Sequence, residues 1–100
     1  MLENLVESDF SDLVGDKFLL CLTGDESVGV TLIEAKSLGS GKADDRTTRD
    51  PFSILFRGPK ELNLPQAIYR LEHETLGSMD LFLVPIGPGD EGMDYEAVFT

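Results

Sequence analysis

The sequence holds one cysteine, one histidine and no tryptophan, and Lys plus Arg number only 8 against 19 Asp plus Glu. With Cys21 alone, no internal disulfide can form, and nothing in the cysteine usage points to an oxidising compartment. The thiol sits in the run Phe18-Leu19-Leu20-Cys21-Leu22, which predicts a buried, inert side chain rather than a nucleophile. The shortage of bases runs along the whole chain. Residues 1–50 carry 11 acids against 5 bases, net −6, and residues 51–100 carry 8 against 3, net −5. Neither half can supply the lysine and arginine footprint that neutralises nucleic-acid phosphates, and anionic lipid surfaces are disfavoured for the same reason. No apolar run approaches the roughly 20 residues of a membrane-spanning helix. Met1-Leu2-Glu3-Asn4 lacks the basic region and apolar segment of a secretory leader. The expectation is a cytoplasmic protein with neither nucleic acid nor membrane as a partner. Strands do not alternate with helices, which excludes a nucleotide-binding α/β fold, and no repeat at solenoid spacing is present.

What is there suffices for one core. The 100 residues, 41% of them hydrophobic, make a single β-domain over 1–100, and a chain of this length buries roughly 60–70% of its unfolded surface. Leu2, Leu5 and Val6 start an apolar stripe that Phe10, Leu13 and Val14 continue at helical spacing. Ser8 or Asp9 can cap a helix and Gly15 can stop one, so a short helix is predicted over 9–14, with Phe10, Leu13 and Val14 on the core. Residues 17–22 then alternate, with Phe18, Leu20 and Leu22 on one side. Residues 23–27 turn the chain, and 28–35 form the return strand of a hairpin. That return strand is apolar on both faces (Val28, Val30 and Leu32 against Ile33 and Ala35), the pattern of a bulge or of a strand covered on both sides. The polar stretch 37–49 is predicted to be a mobile loop.

The second half is richer in strand signals. Phe52, Ile54 and Phe56 point one way, with Ser53 and Arg57 opposite. Over 68–73, Tyr69 and Leu71 point inward and Arg70 and Glu72 outward. A tight turn at 75–78 leads into a strand over 79–86, apolar on both faces from Leu81 to Val84, hence central or part of a subunit contact. Pro85 is predicted to end it. A turn-rich loop follows at 87–92, and Tyr95, Ala97 and Phe99 close the chain on a strand. Six strands, short connections and one helix predict an all-β fold, a small antiparallel barrel or a bent sandwich.

Several of these segments carry a resemblance. They are Val14-Gly15-Asp16-Lys17-Phe18, Asp50-Pro51-Phe52-Ser53-Ile54-Leu55-Phe56-Arg57-Gly58-Pro59, Leu64-Pro65-Gln66, Tyr69-Arg70-Leu71-Glu72-His73, Leu81-Phe82-Leu83-Val84-Pro85-Ile86-Gly87-Pro88 and Tyr95-Glu96-Ala97-Val98-Phe99. As a set they resemble a bacterial family of short proteins, domain-of-unknown-function family 6916. The resemblance spans nearly the whole chain and implies no activity. The family's setting beside phage-tail-collar-type genes implies an accessory or structural role with tail-fibre or phage-tail-like proteins.

Reactive constellations are sparse. Cys21 and His73 both fall inside predicted strands, and neither Ser53 nor Ser78 sits in a strand-to-helix elbow, so no nucleophile with a base is evident. Glu72, His73, Glu74 and Asp80 could approach a metal, but along one strand Glu72 and Glu74 share a face that His73 leaves. Residues 90–94 lack the spacing of a calcium hand. Glu72 and Glu96 would need two strands to bring them together for acid–base work. Arg57 and Arg70 pair most naturally with acids on neighbouring strands. Phe52, Phe56, Tyr69, Phe82, Tyr95 and Phe99 fall at period two and are assigned first to the core. The reading is a non-catalytic structural or interaction protein, without cofactor or metal, that docks onto itself or another protein. Its candidate interaction or pocket residues are Arg57, Tyr69, Arg70, Glu72, His73, Phe82 and Glu96. The alternatives are a small-ligand-binding barrel and an acidic inhibitor of a basic protein.

Overall fold

The computed structural model describes residues 7–22, 26–38, 51–89 and 91–99. Among them the chain forms α1 (Glu7–Ser11), β1 (Lys17–Cys21), β2 (Ser27–Ser37), β3 (Phe52–Gly58), β4 (Ala67–His73), β5 (Gly77–Pro88) and β6 (Met93–Phe99). The strands close into an antiparallel barrel in the order β1-β2-β3-β6-β5-β4. Of the two all-β architectures expected, the barrel is the one formed. Closure leaves no sheet with two free edges, the usual hazard of a small β-protein. No helix among the described residues is long and apolar enough to cross a membrane.

Period-two patterning sets which side chains fill the interior. Phe18 and Leu20 from β1, Val30 and Leu32 from β2, Phe52, Ile54 and Phe56 from β3, and Tyr95, Ala97 and Phe99 from β6 are all buried. β2 keeps its apolar residues inward through a bulge. Leu32 pairs with Phe56 and Glu34 with Leu55, so Ile33 is the extra residue and Ala35 returns to the inner face opposite Ile54. The apolar residues on both faces of this strand are accounted for by that bulge.

Each end of the barrel is plugged. At one end α1 inserts Phe10, fully buried, with its ring centroid 5.4 Å from Phe99 and 5.9 Å from Phe52. These two rings stack on each other at 4.5 Å. At the other end the connection before β4 packs Leu62 and Leu64 on the core. The buried Tyr95 hydroxyl holds it there, donating to the Leu62 carbonyl (3.2 Å) and accepting from the Leu64 amide (3.0 Å). A buried phenol needs such partners to avoid a desolvation penalty.

Several local expectations are corrected. The helix ends at Ser11, and two i to i+3 bonds then turn the chain, Leu13 N to Phe10 O (2.8 Å) and Asp16 N to Leu13 O (2.9 Å). Helical phase is therefore lost before Val14, which is 47% exposed instead of lying on the core. Gly15 does stop the segment, at φ +102° with its amide on the Leu32 carbonyl. Pro85 does not end β5, which runs on to Pro88. The β4 ladder stops at the Ala67–Leu83 pair, so beyond it only one edge of β5 has a neighbour to serve. A bulge between Pro85 and Pro88 takes up the irregularity, with Gly87 at φ +107°. Cys21 and Phe82 lie on the outer wall, not in the core: Cys21 shares the phase of Lys17 and Leu19, and Phe82 that of Asp80. Ser37 still belongs to β2, and the Leu38 amide donates to Pro51 O (2.9 Å). The rest of the expected mobile loop, 39–49, lies outside the described residues, as do Leu2, Leu5 and Val6.

Candidate interaction surface

Two seven-pair ladders, β3–β6 and β4–β5, carry most of the candidate residues on their outer faces. On β3, Arg57 lies opposite Asp94. Its Nε and one terminal nitrogen donate to the two Asp94 carboxylate oxygens at 2.8 and 3.1 Å, and the other terminal nitrogen reaches Glu91 at 3.2 Å. The Asp94 hydrogen bond raises the guanidinium pKa further above its ordinary value. Gly92 makes room for this clamp. A Cβ there would collide with the Gly58 carbonyl oxygen and approach Arg57 Cγ to 2.8 Å. Arg57 is thus a strap between strands, with its hydrogen-bonding capacity largely taken up.

The β4–β5 face is built differently. Arg70 meets Asp80 through one contact of 3.3 Å, both side chains more than half exposed. One step further along, Ile68 and Phe82 are directly opposite each other and point outward, 67% and 50% exposed. On the other side of β4, Leu19 pairs with Glu72 and Cys21 with Arg70. Partial burial and the neighbouring Glu72 carboxylate push the Cys21 thiol pKa up, so the protonated, poorly nucleophilic form is favoured. Between β1, β4 and the connection before β4 runs an open groove of about 870 Å³, with Cys21, Leu64, Ile68, Tyr69, Arg70 and Glu72 among its walls. Tyr69 is half-buried beneath it and donates its hydroxyl to Pro65 O at 2.7 Å; burial, then the neighbouring Tyr95, raises its pKa.

The remaining two candidates lie apart. His73 faces inward and is buried, with its ring 4.6 Å from that of Phe18. Its Nδ1 accepts the Thr75 and Leu76 amides (3.0 and 3.2 Å), which leaves the proton on Nε2, 2.9 Å from Asp16 Oδ2. The ring pins the β4–β5 turn to the segment before β1. Cys21 and His73 are on opposite sides of the wall and do not meet. Glu96 is on the outer face of β6, between Leu55 and Val84, beside a small hollow of about 230 Å³. Glu72 and Glu96 therefore fall in different clefts. Among the described residues, no group of three His, Cys, Asp or Glu comes together to hold a metal.

The structure thus unites Tyr69, Arg70, Glu72 and Phe82 around one face and separates Arg57, His73 and Glu96 from it. The residue that sequence reasoning missed is Ile68. Its signal was present in the phase of its strand, because Tyr69 and Leu71 inward require Ile68 outward. The class defined so far is a small closed antiparallel barrel with a helical plug. Within it, the family model of the domain of unknown function DUF6916 matches residues 5–99, and the chain belongs to that family. No curated protein and no solved structure matches it.

Proposed function

We propose that this chain is a non-catalytic interaction module that docks a protein partner on the outer face of β4 and β5. The observation that carries the reading is the Ile68–Phe82 pair. Two large apolar side chains stand opposite each other in water although the interior is already filled by other residues. An exposed aromatic beside an aliphatic residue is the composition of an interface anchor. The module acts in the cytoplasm, as an accessory to a tail-fibre or phage-tail-like protein, the partner class that the family resemblance brings forward. Co-purification of such a protein with the wild-type chain, and its loss with Ile68→Thr/Phe82→Thr at unchanged circular dichroism, is the expected result. Equal recovery with both chains rejects the face.

A second reading, a small-ligand binder, draws on the open groove beside Tyr69 and Arg70 rather than on the barrel interior. Ligand-induced protection of Cys21 from alkylation, abolished by filling the groove with Leu64→Trp, would favour it over docking. The third, an acidic inhibitor of a basic protein, draws on the net charge of −11 alone.

A further inference from the structure

The groove and the apolar pair form one continuous surface, because Ile68 both lines the groove and abuts Phe82. We infer that the segment seated on it is cationic: a stretch of the partner protein with lysine or arginine next to an aliphatic or aromatic residue. The inference rests on the docking reading and specifies its partner. Leu22, Leu64 and Ile68 give the groove an apolar floor, while Glu26, Glu72 and Asp80 stand along it. Arg70 is the cation lining the groove among the described residues, and Asp80 already holds it. Three acids against one base leave the lining with a net excess of two negative charges beside an apolar trough. A lysine or arginine suits such a place because its stem covers hydrocarbon while its head stays at the rim.

A second copy of this chain fits less well. A two-fold contact sets the same patch against itself, so Glu26 and Glu72 would face the same acids on a molecule also carrying −11.

The test uses the full chain and three fluorescent peptides of equal length, built from Lys–Leu, Glu–Leu and Lys–Ser repeats, with anisotropy read at low and high salt. The Lys–Leu peptide is expected to bind at least about tenfold more tightly than either other peptide. Ile68→Thr/Phe82→Thr and, separately, Glu26→Gln/Glu72→Gln are each expected to weaken it by about tenfold, and the charge variant to flatten its salt dependence. Glu–Leu binding as tight as Lys–Leu, yet lost in Ile68→Thr/Phe82→Thr, would overturn the cationic partner and leave the docking face standing. Lys–Leu binding unchanged by Ile68→Thr/Phe82→Thr would overturn both. Sedimentation showing a dimer that Phe82→Thr dissociates would make the occupant a second copy and overturn the inference, again leaving the face. Absence of binding by all three peptides together with a monomer in sedimentation would also overturn it.

Discussion

The β3–β6 and β4–β5 ladders have the same length, the same antiparallel sense and an arginine–aspartate pair across each outer face, yet they treat that face in opposite ways. In β3–β6 the pair is bidentate, joined by Glu91, and shielded: Arg57 and Asp94 side chains are 31% and 14% exposed. In β4–β5 the pair makes one contact at 3.3 Å with side chains 59% and 57% exposed, the arrangement that solvent and salt weaken most. The apolar pair beside it is equally open to water. At its Arg57 end one ladder uses both faces to hold the barrel together, although Val98 further along its outer face is 53% exposed. The other uses only its inner face for that and leaves the outer one available.

The largest effect expected from this contrast comes from exchanging the same residue type in the two ladders. Phe56→Ala, on the buried face of β3, should cost about 3–5 kcal/mol in urea unfolding, a large share of a small domain's stability of about 5–15 kcal/mol. Phe82→Ala, on the outer face of β5, should cost about 1 kcal/mol or less. Next comes Gly92→Ala, whose Cβ meets backbone at Gly58. A loss of about 1–3 kcal/mol is expected from overpacking, and thermal melts should show it. Smaller still are the ion pairs. Asp94→Asn should lower the melting midpoint more than Asp80→Asn does, and a double-mutant cycle on Arg70 and Asp80 should return no more than about 0.5 kcal/mol. Equal coupling in the two pairs would erase the distinction.

The smallest effect is on reactivity. With its pKa raised, the Cys21 thiol is protonated to a higher pH than a free cysteine. Iodoacetamide should therefore react slowly at neutral pH, with its rate rising at higher pH than for a cysteine peptide. Glu72→Gln removes one of the two causes named above and should move that rise part of the way back. A rate at neutral pH equal to that of the free peptide would contradict the shift.

Much of this architecture was legible in the sequence because inward residues alternate strictly: Phe52, Ile54 and Phe56, then Tyr95, Ala97 and Phe99, read as they fold. The bulge in β2 was legible for the same reason, since an inserted residue must throw the alternation out of phase at Ile33. The errors came where two periods or two causes overlap. Val14 keeps helical spacing, but the chain has already turned. Pro85 looks like a stop until it is known that β4 ends before reaching it. Phe82 and Cys21 are apolar neighbours of buried residues, and within an apolar run their outward phase is marked only by a polar residue two or four positions away, Asp80 for Phe82 and Lys17 for Cys21. The register with β4 then adds what the phase cannot, the neighbours: Ile68 beside Phe82 and Arg70 beside Cys21. The candidate surface was half legible: Tyr69, Arg70 and Glu72 share one strand and Phe82 the next, whereas Cys21, Leu22 and Glu26 reach the groove from the β1–β2 hairpin, far away in the chain. Arg57 pairs with an acid on the neighbouring strand, as its sequence setting predicts, and His73, a candidate pocket residue in the sequence, is a turn pin.

The most direct measurement is the unfolding free energy of the Ile68→Thr/Phe82→Thr chain, in which both positions keep strand-compatible side chains. If the outer face of β4 and β5 is spare to the fold, the two changes together should cost about 1 kcal/mol. A loss of about 3 kcal/mol or more, as for a buried phenylalanine, would mean that these side chains hold the barrel together and are not available for a partner.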